Sequence, residues 1–217
     1  MAAEHTSATE KVSPPRRPLR IGDPAPLFSA RSTRGPVELS AYRGRWLVFF
    51  SHPADFTPVC TSEFIALARL APQFEAAGFA LLGLSVDSLF AHVAWIRAIR
   101  EAFGVEVPFP VVEDPSMVIG RAYGMIDEDA QDSSAVRASY FIDPNGIIRA
   151  MNWYPMTVGR SADEMLRLAT ALKRVELGDA VTPEGWRPGD PVLSPLSEET
   201  ALSEPAGDWF CRRIKEA

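Results

Sequence analysis

Cysteine is scarce in this chain: there are two among 217 residues, Cys60 and Cys211. Two thiols cannot build a disulfide framework. Without a C-x-x-C pair there is neither a thioredoxin-type dithiol nor a cysteine-based zinc site, so no metal is expected. Reduced thiols in a cytoplasmic setting are the natural expectation. Long hydrophobic runs are missing as well, which speaks against a bilayer-spanning helix. The first twenty residues hold no apolar core of a secretory signal, and no hydrophobic segment follows the twin arginines Arg16 and Arg17. Nor is there an excess of basic charge: Lys and Arg number 22 against 28 Asp and Glu, a net charge of −6. A chain of that sign has no broad attraction for phosphate backbones or anionic lipid, so neither nucleic acid nor membrane is an expected partner.

What is present is a 47% hydrophobic content, enough at this length for one substantial domain and a smaller appendage. Residues 1–17 are polar and proline-containing and are expected to form a disordered tail. The body runs from 18 to 177. Within it, 37–39 is a short strand candidate, and the apolar run 46–50 is too short for a helix and predicts a fully buried central strand. A helix starting near Pro58 turns Phe64, Leu67, Ala68 and Ala71 to the core, and Pro72 is expected to kink or interrupt it. Residues 80–86 predict a second buried strand, Asp87 or Ser88 a cap, and Leu89, Val93, Ile96, Ile99 and Phe103 the buried stripe of the next helix, ended by Gly104. His92 lies near that stripe without a ligand partner at useful spacing and is expected to be structural.

Pro108 and Pro110 confine 107–112 to an edge strand or to irregular structure, and a short helix is expected over 116–123. Asp143-Pro144-Asn145-Gly146 is the turn of a hairpin joining 136–142 to 147–153. Ser161 with Glu164 makes a capping box for an amphipathic helix. Strands alternating with helices give an α/β fold. From 178 to 217 prolines recur and apolar periodicity fades, which predicts an extended arm with Trp186 and Trp209 as anchors for a partner surface.

Chemistry concentrates in residues 51–63. Thr57 suits the N-cap of a helix and Pro58 its first position, which puts Cys60 three residues after the cap. A capping box places a glutamate there, where its charge meets free backbone N–H groups and the positive end of the helix dipole. A thiolate is favoured for the same reason, and a cysteine so placed is an activated nucleophile rather than packing.

The pattern Pro53-x-x-x-Thr57-x-x-Cys60 resembles the active-site signature of the peroxiredoxins, the thiol peroxidases. The longer run from Phe49 through Ser51, His52, Pro53, Asp55, Thr57 and Cys60 to Glu63 looks most like the 1-Cys subgroup and its archaeal-type relatives, and the likeness extends from about Leu19 to Cys211. It implies a thioredoxin-like fold with peroxiredoxin insertions over 18–177, and a C-terminal extension over 178–217 that packs across a dimer. It also implies reduction of hydrogen peroxide and organic hydroperoxides through a Cys60 sulfenic acid, an external thiol reductant, a homodimer or larger homo-oligomer, and no cofactor.

By the same resemblance, Arg137 completes the donors that Thr57 and the first helical turn offer to the leaving oxygen, and Arg160 is a second arginine near the pocket. His52 either meets the incoming peroxide or orients the loop, Glu63 ties the arginines in place, and Pro53 shields the thiolate. Cys211 is the internal candidate for a resolving thiol; archaeal-type relatives often carry two cysteines in this region, and this chain has one. A holdase chaperone or redox-sensing protein is the alternative from another class. The phospholipase activity of some relatives is tied to a Gly-x-Ser-x-Gly segment, which residues 28–35 lack.

Overall fold

The computed structural model describes residues 17–126, 136–198 and 207–215, so most of the tail expected at 1–17 lies outside the described residues. Arg17, at the end of that tail, pairs with Asp23 at 2.7 Å. Chain contacts divide into two units, Met1–Ala162 and Asp163–Ala217.

The first unit is built on one mixed sheet. In chain order its elements are β1 (Ser29–Ser32), β2 (Gly35–Glu38), β3 (Trp46–Ser51), α1 (Pro58–Ala76), β4 (Phe79–Ser85), α2 (Leu89–Phe103), β5 (Val111–Glu113), α3 (Val118–Ala122), β6 (Arg137–Ile142) and β7 (Ile148–Tyr154). The strands lie in the order β2-β1-β5-β4-β3-β6-β7. β3 runs parallel to β4 and antiparallel to β6, and every residue of β3, β4 and β6 is buried. Such strands need apolar residues on both faces, which is why Trp46–Phe50 reads as a continuous run.

The alternation of strand side chains assigns the two faces. Leu47, Phe49, Leu82, Leu84 and Tyr140 join Phe28 and the α3 residues Ile119 and Ala122 on one side. On the other, Phe50 meets Phe64 of α1 edge-on at 5.8 Å, and a side chain added at Gly83 would meet Phe64 at 3.4 Å. Arg137 and Ser139 alternate with Ala138 and Tyr140 of the first face and so belong with α1.

The structure corrects several expectations. α1 is not interrupted at Pro72: the helix continues to Ala76, because the proline sits on its exposed side and forfeits one backbone hydrogen bond without unsettling the core contacts. The buried stripe of α2 is His92, Trp95 and Ile99, whereas Val93 and Phe103 are 41% and 55% exposed. Ser88 rather than Asp87 caps this helix, accepting from the Ala91 N–H at 3.3 Å. Pro108 and Pro110 stay outside β5, which is short but interior, between β1 and β4. The expected hairpin is formed by β6 and β7, and its turn is fixed by the Asp143 carboxylate, which accepts the Asn145 and Ile147 N–H groups at 2.8 and 2.9 Å.

In the second unit, α4 (Ala162–Arg174) is followed by the two-stranded pairing of β8 (Val192–Leu193) with β9 (Arg213–Ile214). Trp186, expected as an anchor for a partner surface, is 3% exposed and clusters with Ala171, Ala180 and Val192 of this same unit. Its indole N–H donates to the Asp190 carbonyl at 3.0 Å, so ring and dipole are both satisfied locally. No helix among the described residues is long and apolar enough to cross a membrane.

Candidate active site

The chain leaves β3 at Ser51 and reaches α1 at Pro58 through a loop held at several points. The Ser51 hydroxyl donates to the Val136 carbonyl and accepts the Ala138 N–H at 3.1 Å, fastening β3 to β6 at the level where the loop starts. The His52 N–H donates to the Leu84 carbonyl at 3.0 Å, and the Asp55 N–H to the Asp87 carboxylate at 2.9 Å. Phe56 then adopts φ 58°, a left-handed conformation rare for a bulky side chain and costing about 1–3 kcal/mol unless its neighbours impose it.

Thr57 is extended and occupies the N-cap position, and Pro58 opens the helix as expected. Its hydroxyl does not cap, however. It donates to the Ala54 carbonyl at 2.9 Å, while the Thr57 carbonyl begins the helical ladder by accepting from the Thr61 N–H at 2.9 Å. With its proton so engaged, the threonine oxygen can only accept from a further partner.

Cys60 is completely buried in the first turn of α1. Arg137, 2% exposed, aims Nη1 at its Sγ over 3.3 Å and at Glu63 Oε2 over 2.8 Å. The guanidinium cannot swing, because Nε and Nη2 both donate to the Met156 carbonyl at 3.0 and 2.8 Å. Glu63 is the hub. Besides Arg137 it accepts Arg160 Nη2 at 2.9 Å, Arg160 Nε at 3.0 Å and the Arg160 backbone N–H at 2.7 Å. Arg160 in turn donates to the Ala138 carbonyl and the Ser139 hydroxyl, and its guanidinium carbon lies 5.4 Å from the centre of the Phe50 ring.

Burial by itself would raise the Glu63 carboxyl, but the hydrogen bonds and charge of Arg160, joined by the charge of Arg137, outweigh it and hold the group below the usual carboxylate range. Two guanidinium groups meet one carboxylate, so the cluster carries one net positive charge directly beside Sγ.

His52 is fully buried with Nε2 at 2.8 Å from Asp55 Oδ1, so the loop carboxylate accepts a hydrogen bond from its ring N–H. The other Asp55 oxygen lies 2.7 Å from His92 Nδ1. Pro53 is buried between these groups in sequence. His52, Asp55 and His92 are the one group of metal-type ligands among the described residues, with ligand atoms within 4.8 Å of one another. The imidazoles bond the carboxylate directly, however, and a cation would have to displace both hydrogen bonds to reach ligand distances of about 2.0–2.2 Å. Cys211 is an exposed free thiol in a short 3-10 turn, Trp209–Cys211, of the second unit.

The structure thus brings together Cys60, Arg137, Glu63 and Arg160, with Thr57, His52 and Pro53 on the loop before them. Sequence reasoning missed Asp55 and Asp87, and it treated His92 as a histidine without a partner. The His52-x-x-Asp55 spacing was visible, but the third member lies 37 residues from Asp55.

These titrations make acid stability a two-stage matter. Burial is the largest influence on His52 and, against the pull of Asp55, keeps it below the ordinary value of 6.5, so the folded protein holds it neutral while the unfolded chain protonates. Stability therefore falls as pH drops from about 6.5 toward the folded value. Glu63, and likewise Asp55, whose burial is outweighed by hydrogen bonds from His52 and His92, are depressed; they stabilise fully above their unfolded values and lose this contribution as pH falls through the folded ones. Urea midpoints measured from pH 7 to 3 are expected to decline in both windows, and His52→Gln, which keeps the donor to Asp55, is expected to remove the upper decline. An identical profile in that variant would exclude His52 as its source.

Most of the chain is similar to known proteins. The AhpC/TSA family model matches residues 21–151. The chain is 47% identical to "Peroxiredoxin 2" of Caldanaerobacter subterraneus subsp. tengcongensis, covering 88% of this chain and 86% of that one. It is also 47% identical to "Peroxiredoxin 2" of Thermoplasma acidophilum, covering 90% and 100%. Among solved structures, a yeast mitochondrial 1-Cys peroxiredoxin superposes with a TM-score of 0.78 at 39% identity, over 85% of this chain and 92% of that one. A family match over more than half of the chain, with relatives at 47% identity covered over 86% or more of their length, means that the chain belongs to the AhpC/TSA family and has the thioredoxin-like fold of the peroxiredoxins.

Proposed function

We propose that this protein reduces hydrogen peroxide and organic hydroperoxides at Cys60. The observation that carries this reading is Arg137 Nη1 at 3.3 Å from Sγ, on a guanidinium that Met156 and Glu63 hold from two other sides. A negative sulfur balances the surplus positive charge of the Glu63 cluster. It attacks one oxygen of the peroxide, an S–O bond forms as the O–O bond breaks, and the second oxygen leaves with the electron pair and takes a proton. Donors fixed where that charge develops lower the barrier, and Arg137 with the free N–H groups of the first turn of α1 fills this role. The product is a Cys60 sulfenic acid, which a thiol converts to a mixed disulfide and water and a second thiol reduces. This chemistry needs no metal, flavin or haem. A holdase requires no such arrangement at sulfur.

An external thiol is the reductant in this reading, in an intracellular setting that keeps both cysteines reduced. The yeast mitochondrial relative, a 1-Cys enzyme resolved through glutathione/thioredoxin systems, supports it. We also infer a homodimer. β7 is an edge strand, with Trp153 46% exposed on it; Ile148 bonds Gly22 and Asp23, and antiparallel pairing with a second copy would satisfy the free backbone groups along the rest of the strand.

One sample tests these statements together. After one equivalent of peroxide, native mass spectrometry is expected to give a dimer, and denaturing spectra a chain heavier by about 16 Da, one oxygen on Cys60. A covalent dimer that disappears in Cys211→Ser would replace the external thiol by Cys211 of a second subunit. A monomer mass at micromolar concentration would remove the dimer, and an unmodified Cys60 would remove the peroxidase.

A further inference from the structure

Asp55 is gripped from two elements at once. Its Oδ1 faces His52 Nε2 at 2.8 Å within the loop, and its Oδ2 faces Nδ1 of His92 on α2 at 2.7 Å. The residue after it, Phe56, is one of two described non-glycine residues with a left-handed backbone, and its side chain is 60% exposed, so its own packing is a weak hold on that conformation. It is constrained from both sides: behind it the Thr57 hydroxyl bonds back to the Ala54 carbonyl, and before it the Asp55 carboxylate is pinned by two imidazoles and the Asp55 N–H by Asp87. His92 is completely buried beside Trp95 on an otherwise apolar helix face, a position where a leucine would pack without any polar group to satisfy. Packing alone therefore does not explain the histidine.

We propose that His92 and Asp55 are positioning residues for the reaction of Cys60 with peroxide. Through the Asp55 carboxylate, His92 fixes the course of residues 52–57, holds Phe56 in its left-handed turn and so sets where Thr57 starts α1. The N–H groups of the first turn, and Sγ relative to Arg137, depend on that starting point. The inference rests on the peroxidase reading. Neither residue touches the sulfur; both act through the loop.

Two variants of His92 separate its nitrogens. His92→Asn keeps an N–H where Nδ1 stands and so keeps the donor to Asp55. His92→Gln moves the N–H toward the site of Nε2, which faces the Val112 carbonyl at 3.3 Å, and leaves that carboxylate oxygen unpaired. The readout is the second-order rate constant of Cys60 with hydrogen peroxide beside that with iodoacetamide. Alkylation requires a reactive, reachable sulfur but no donors aligned on a leaving oxygen, whereas peroxide cleavage requires both.

His92→Gln is expected to lose roughly 10- to 100-fold with peroxide while its alkylation stays within about threefold of wild type. Asp55→Asn, which exchanges one accepting oxygen for a donor, is expected to show the same split, and His92→Asn to remain close to wild type with both reagents. Equal losses with both reagents, indistinguishable Asn and Gln variants, a wild-type peroxide rate in His92→Gln, or failure of both His92→Gln and Asp55→Asn to fold would each assign the pair to stability alone and overturn the proposal. A wild-type protein inert to peroxide would overturn the peroxidase reading instead, and the positioning role with it.

Discussion

Cys60→Ser is expected to abolish peroxide consumption while leaving a folded protein. The substitution shortens one buried side chain slightly and keeps its hydrogen-bonding capacity, so Glu63, Arg137 and Arg160 retain every partner except the sulfur. The oxygen, however, is a far weaker nucleophile: a hydroxyl in this position has no base beside it, since the groups that face it are cationic donors. With dithiothreitol as reductant, consumption is expected to fall to the uncatalysed background, and near-ultraviolet circular dichroism to match wild type. Retention of about a tenth of the wild-type rate would show that Cys60 is not the nucleophile, because loss of an essential nucleophile costs far more than tenfold. Cys211, being exposed, then becomes the site to examine.

Arg137→Ala is the second large effect. It removes the N–H aimed at sulfur and one of the four hydrogen bonds that the two arginines donate to Glu63. Deleting one donor to a developing negative charge costs about 10²–10³-fold, and that loss is expected in the rate constant for peroxide measured by stopped flow. Breaking a buried ion pair by removing one partner costs about 3–5 kcal/mol, but Glu63 keeps Arg160, so the lower end applies here. Arg137→Lys is expected to recover little. One ammonium cannot donate to Sγ, Glu63 and twice to Met156 in a fixed plane, and the planar fork is what aims Nη1. A peroxide rate within threefold of wild type in either variant would assign Arg137 to the stability of the cluster.

The parts of the fold that could be read from the chain are those whose causes are local. Thr57, Pro58 and Cys60 within one turn announce the start of α1, the unbroken run Trp46–Phe50 announces a strand buried on both faces, and an aspartate-led turn with Gly146 at φ 72° announces the hairpin. β1 was not foreseen, since Ser29–Ser32 is a polar tetrapeptide whose only claim to be a strand is that β2 and β5 lie on either side of it. The rotation of α2 was misjudged for a related reason. Hydropathy puts Val93 in the buried stripe and His92 only near it, but a carboxylate contributed by a distant loop makes the histidine the better core residue.

At the site, Cys60, Glu63, Arg137 and Arg160 were legible through their likeness to a known pattern. The Met156 carbonyl that immobilises Arg137 was not, because a backbone acceptor leaves no mark in a sequence. Pro72 deceived by being on the exposed side of its helix, where one missing N–H is cheap.

Trp95 gives the site an optical handle. Its indole N–H donates to Thr61 Oγ1 at 3.2 Å, one residue beyond Cys60, and its ring lies 4.5 Å from that of Phe64 and 5.1 Å from that of His52. The chromophore is thus tied to the turn that carries the sulfur and shielded from water by the same packing that hides it. If that turn unwound, the indole would lose a polar partner and gain solvent together, and the emission of Trp95 would shift to the red. With the other four of its five tryptophans replaced by phenylalanine, the protein would report the state of its own nucleophile by the emission of Trp95, with no label required.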